Sequence, residues 1–180
     1  MLRLGLVILT LTSGLWGCAP PAPQPVQLGA DGLPLPKVYR IRSRDVAAIE
    51  ARMIDGVNAL RLASDLPTVT WNAQLTAAAA AHAQDMAQQR RPWHFGSDGS
   101  SPFDRAQRAG YAGETLGETI SETYETEMQT LQAWIEAPGS SAILLDARAR
   151  EMGFAWFQEE DGRIWWTLLM GSGPQSSVGF

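Results

Sequence analysis

Cysteine is almost absent: the 180-residue chain has one, Cys18. A single thiol cannot close an intramolecular disulfide, so packing and hydrogen bonds must hold the fold. Long apolar runs are scarce too. Leu4 to Trp16 is the longest, and it falls short of the about 20 residues that span a bilayer. Basic charge is in deficit, with 14 Lys and Arg against 19 Asp and Glu and a formal net charge of −5. That balance excludes a nucleic-acid binder working through a broad basic face. The ligand spacing of a calcium loop is missing around Asp98 and Asp104, which read as cap and turn residues. No internal repeat is visible.

What is present begins with an address. Arg3, the apolar run and Gly17 before Cys18 make residues 1–17 a secretory signal. Leu15-Trp16-Gly17-Cys18 resembles a bacterial lipobox, in which the cysteine is diacylated and becomes the first mature residue; Trp16 is bulkier than such motifs carry. Cys18 is therefore the candidate lipidation site. The expected location is the bacterial envelope, periplasm or outer membrane, as a membrane-anchored lipoprotein. The alternative is a plain signal peptide and a secreted protein. Residues 18–39 carry Pro20, Pro21, Pro23, Pro25, Pro34 and Pro36 and read as a semi-rigid tether. The folded domain is expected over 40–172, with a C-terminal tail over 173–180. Arg40, Arg42 and Arg44 read as a solvated flank before the first helix.

Within the domain the apolar period is first helical. Val46, Ile49, Met53, Val57 and Leu60 predict a helix capped by Ser43 or Asp45 and ended before Pro67. Asn72 caps a second, with Leu75, Ala79, His82 and Met86 on one stripe and an alanine run, Ala77 to Ala81, suited to close packing. Ser101 and Pro102 open a third that ends near Gly110. Glu125 to Glu136 predicts a fourth with Met128, Leu131, Trp134 and Ile135 inward, stopped by Pro138 and Gly139. The period then changes. Met152–Gln158 and Arg163–Met170 read as strands of a hairpin turning at Glu159-Glu160-Asp161-Gly162. In the second strand Ile164, Trp166 and Leu168 face one way and Trp165 and Leu169 the other, so both faces must be covered. The class is α+β, with layers of helix, sheet and helix.

Several short motifs fall in a recognisable order: Trp71-Asn72-x-x-Leu75, Ala79-x-x-His82-Ala83-x-Asp85-Met86-Ala87, His94-Phe95-Gly96-Ser97-Asp98-Gly99, Asp104-Arg105, Gly110-Tyr111, Gly117-Glu118-Thr119-Ile120 and Trp134-x-x-Ala137-Pro138-Gly139. Together, over Ile49 to Met170, the chain resembles the CAP superfamily of cysteine-rich secretory, antigen 5 and pathogenesis-related-1 proteins, in its short, cysteine-free bacterial branch. The resemblance implies a three-layer α-β-α sandwich. It also implies a central cleft that often holds two histidines and two acidic residues able to bind zinc or another divalent ion. His94 matches the first histidine. Glu118 matches the acid of a Gly-Glu-Asn motif, with Thr119 in place of the asparagine. Ser140 stands where the second histidine belongs, and Glu136 lies one position from the second acid.

The cleft set is therefore His94, Glu118, Glu136 and Ser140. A catalytic zinc takes three protein ligands and leaves a position open for water. His94 and Glu118 supply two, so no metal or other cofactor is expected. His82, on the apolar stripe, reads as a buried structural histidine. Trp93, Trp134, Trp156, Trp165 and Trp166 read as packing residues or, alternatively, the lining of a ligand groove. The functional expectation is a binding or interaction module for a lipid, a cell-wall fragment or an envelope protein. The alternative is a hydrolase using His94 and Glu118 with Ser140 as nucleophile or with a weakly held divalent metal.

Overall fold

A computed structural model describes residues 38–174. The signal sequence, Cys18, the tether up to Lys37 and residues 175–180 lie outside the described residues. The compact unit starts at Val38, ahead of the Arg40 expected. Tyr39 is already docked: its hydroxyl donates to Glu127 at 3.1 Å and its carbonyl accepts from Gln158 at 2.8 Å. At the other end Gly173, expected in the tail, is buried and donates to the Tyr111 hydroxyl at 2.9 Å.

A 3-10 turn at Ser43–Asp45 leads into α1 (Val46–Ala63), which buries Ile49, Met53 and Val57. Neither expected cap bonds the start of α1 through its side chain; Asp45 accepts instead from the Arg42 backbone. After β1 (Thr70–Trp71), Asn72 caps α2 (Ala73–Gln89) by accepting from Gln74 and Leu75, each at 3.0 Å. α3 (Pro102–Arg108) carries the expected Ser101 cap, closed into a capping box by Asp104. β2 spans Thr115–Thr123, and α4 (Glu127–Glu136) is capped by Thr126. Met128, expected inward, is 38% exposed; Glu127, Thr130, Leu131 and Trp134 make the buried face. Pro138 does more than end α4. It takes the first position of α5 (Pro138–Leu144), where its missing N–H costs nothing. β3 (Glu151–Gln158) and β4 (Ile164–Gly171) form the expected hairpin.

The four strands run in the order β1-β3-β4-β2, with β1 parallel to β3 and the other pairs antiparallel. Every residue of β4 is buried, as its two apolar faces require. Ile164, Trp166, Leu168 and Met170 pack with α1, α4 and the Leu144 end of α5. Trp165 and Leu169 pack with α2. The result is the expected α-β-α sandwich. Gly153 lets α2 lie on β3: a Cβ there would collide with the backbone of Leu75 and Thr76.

β2 was not legible as a strand. Its sequence, TLGETISET, has only two large apolar residues, Leu116 and Ile120, and it lies at the sheet edge next to β4. Alternation along it sorts the site. Gly117 faces α5, where an added Cβ would strike Ile143, while Glu118 and Ile120 face the α2 layer.

Candidate functional site

Glu118 is the centre of the site. Its side chain is fully buried, yet both carboxylate oxygens have partners. His94 Nδ1–H donates to Oε1 at 3.0 Å, and Arg105 Nη2 donates to Oε2 at 2.7 Å. His82 Nε2 lies 3.6 Å from Oε1. The pair that the sequence proposed, His94 with Glu118, is brought together. Arg105 was read only as part of a motif, although it is the residue that completes the pair. A basic residue one turn into a capped helix carries no sequence signal for this; only the packing of α3 on β2 supplies it.

Arg105 is 7% exposed and does more than neutralise Glu118. Its Nη1 donates to the carbonyls of His94 at 3.1 Å and Ser100 at 2.9 Å, so one guanidinium fixes both ends of the 94–100 loop. α2 holds the same loop from the other side. Gln89 accepts from the Trp93 indole at 2.8 Å and donates to the Phe95 carbonyl, and Asp85 accepts from Ser97 N–H at 2.8 Å. The loop thereby presents His94 with half of its side chain in solvent, between Trp93 and Phe95.

His82 is buried on α2, as expected of a structural histidine. Its Nε2–H donates to the Trp93 carbonyl at 2.9 Å, which leaves Nδ1 as the lone-pair nitrogen, without a partner among the described residues. Burial lowers its pKa below the usual histidine value; Glu118 opposes that shift and Arg105 adds to it.

Glu136 and Ser140 do not join this set. Glu136 is exposed and accepts from Gln132, one turn back on α4, at 3.0 Å. Ser140 sits on α5, which packs over Gly117 on the sheet face opposite Glu118. The physical reason is strand alternation: residues 117 and 118 must point to opposite layers.

The donor set does not fit a metal centre. Both oxygens of Glu118 are engaged inside the protein, His94 turns a protonated nitrogen toward it, and His82 Nε2 is committed to a carbonyl. Among the described residues no group of three or more His, Cys, Asp or Glu side chains is placed to hold an ion.

A groove of about 400 Å³ opens between α2 and α3, with Ser97 and Ser100 of the loop in its lining. Ala77, Ala78 and Ala81 of α2 line it together with Asp85, Ser97, Arg105 and Arg108.

The fold has counterparts among known proteins. Residues 54–170 match the profile of the cysteine-rich secretory protein family, CAP. The chain belongs to the CAP family. Solved structures share the fold of this CAP domain at low identity. An outer surface protein from Borrelia burgdorferi is similar with a TM-score of 0.67 at 16% identity, over 77% of this chain and 100% of that one. An extracellular protein containing an SCP domain from Bacillus anthracis gives a TM-score of 0.65 at 20% identity, over 74% of this chain and 44% of that one. A cysteine-rich secretory protein from Staphylococcus aureus gives 0.61 at 14%, over 81% of this chain and 45% of that one. The CAP domain thus spans less than half of the latter two proteins. A comparison with curated proteins returns no match.

Proposed function

We propose that this CAP domain is an exported binding module of the bacterial envelope, held to a membrane through a lipid on Cys18, and that it works without a metal. The observation that carries the binding reading is the burial of Glu118 between its two partners. A carboxylate shut off from solvent and held at one oxygen by Arg105 and at the other by His94 meets no water or ion unless one of those contacts is displaced. What it does instead is orient. With Nδ1–H fixed on Glu118, the other ring nitrogen of His94 is turned toward solvent, ready to meet a ligand. Export is supported by the signal-like N-terminus and by the outer-surface and extracellular descriptions of two similar structures.

The hydrolase reading draws on the same oriented imidazole, which is half of a general-base pair. Against it stands the place of its proposed nucleophile, since Ser140 rides on α5, which packs on the opposite sheet face. Two assays separate the readings. Zinc at millimolar concentration should leave the melting temperature unchanged, and a fluorophosphonate probe should leave the chain unlabelled. A metal-dependent rise, or labelling lost in His94→Ala, would overturn the binding reading. The anchor is tested apart from both: Cys18→Ser should move the protein from the membrane to the soluble fraction. Equal fractionation of the two forms would remove the anchor.

A further inference from the structure

We infer that the 93–97 loop and the adjoining groove bind a neutral, hydroxyl-rich oligosaccharide, one ring stacking on Phe95 beside His94 and the next bonding Ser97 in the lining of the groove. The inference rests on the binding reading above and names its ligand class.

Charge comes first. The ionic groups around the loop are Asp85, Asp98 and Glu118 against Arg91, Arg105 and Arg108, and they balance. Arg105 is bonded to Glu118, Arg108 to Asp98, and Asp85 to the Ser97 amide and to Gln89. Arg91 lies over the Trp93 ring, 4.0 Å from its centre. The one buried pair, Arg105 with Glu118, is committed internally, and the exposed Arg108–Asp98 pair offers little net charge of either sign, so a neutral ligand is accommodated with every one of these contacts in place.

Surface chemistry points the same way. Phe95 is 50% exposed and meets Trp93 edge-on, with ring centres 5.6 Å apart, so its own ring is open to stacking while Arg91 covers Trp93. An exposed ring beside an oriented imidazole nitrogen and a serine hydroxyl suits a sugar, whose C–H face is apolar and whose edge is hydroxyl. The only apolar residues lining the groove are alanines, too small to enclose an acyl chain. Ser97 follows Phe95 closely enough, at most about 7 Å along the chain, for one extended ligand to touch both.

The loop is also preorganised. Gln89, Asp85 and Arg105 fix it at Trp93, Phe95, Ser97, His94 and Ser100, so little ordering remains to be done on binding.

The test is an NMR titration of the full chain carrying Cys18→Ser, with the β-1,4 hexamers of N-acetylglucosamine and of glucose as probes. At least one hexamer should move the Trp93 indole N–H and the Phe95 and Ser97 amides saturably. Phe95→Ala should weaken that binding at least tenfold without lowering the melting temperature. Failure of both hexamers to move these signals, or unchanged affinity in Phe95→Ala, overturns the proposal. So do phosphatidylglycerol vesicles broadening the same signals while the sugars do not. A parallel zinc titration keeps the two readings distinguishable. Zinc binding at His94 sinks the metal-free module itself, whereas blanks with both zinc and sugars sink the ligand class alone.

Discussion

Arg105 and Glu118 meet at 2.7 Å in the interior, one from α3 and one from the edge strand β2. The pair joins two elements and the loop between them, because the same guanidinium also holds the His94 and Ser100 carbonyls. Removing one member of such a pair leaves a buried charge and two orphaned carbonyls. Arg105→Met should therefore lower stability by about 3–5 kcal/mol, measured by urea unfolding. Arg105→Lys keeps the charge but loses the planar fork, so its loss should be intermediate. A change within experimental error for Arg105→Met would show that the pair is incidental.

Arg61 poses a second case of a buried cation, this time bonded to no carboxylate. It is fully buried and donates to the carbonyls of Pro67, Leu144, Asp146 and Ala149. The link ties the end of α1 to the end of α5, where partial negative charge gathers on the last carbonyls. Burial and Arg150 lower its pKa, and Asp146 opposes them. Arg61→Met keeps a long side chain but strands those carbonyls, and a loss of about 3 kcal/mol or more is expected in thermal or urea unfolding.

Gly153 should tolerate no side chain. An added Cβ would run into the Thr76 amide nitrogen, and that neighbour is helix backbone that cannot swing aside. Gly153→Ala should cost about 3 kcal/mol by forcing α2 off the sheet. Circular dichroism melting would show it. Gly139→Ala, which meets nothing within 4 Å and lies in α5, is the matched control and should melt at or slightly above the parent.

The His82 shift gives a pH dependence whose sign follows from its direction. Its folded pKa lies below the unfolded value of about 6.5. Above that value the ring is neutral in both states and contributes no slope. As the pH falls below it, the unfolded chain takes up a proton that the buried ring resists, so stability drops. The melting temperature should fall between pH 7.5 and pH 5.5, and His82→Gln, able to keep a donor on the Trp93 carbonyl, should flatten that fall. An equal slope in both proteins would assign the effect to other groups.

Much of this was written locally. The helical stripes of α1 and α2, the Asn72 and Ser101 caps, and the two-faced apolar β4 each follow from side-chain period and cap chemistry within a few residues, and they suffice to dictate the layered fold. The His94–Glu118 pairing was legible only through the order of its motifs. Tertiary structure alone decided the rest. It made a strand of the polar 115–123 segment by offering it the open edge of β4, and it turned Pro138 from a stop into a start. It placed Ser140 across the sheet from Glu118, and it brought Arg105 to the carboxylate. Local sequence fixes which face of an element is apolar; which charged groups meet depends on how elements distant in the chain come to pack, and no local pattern encodes that.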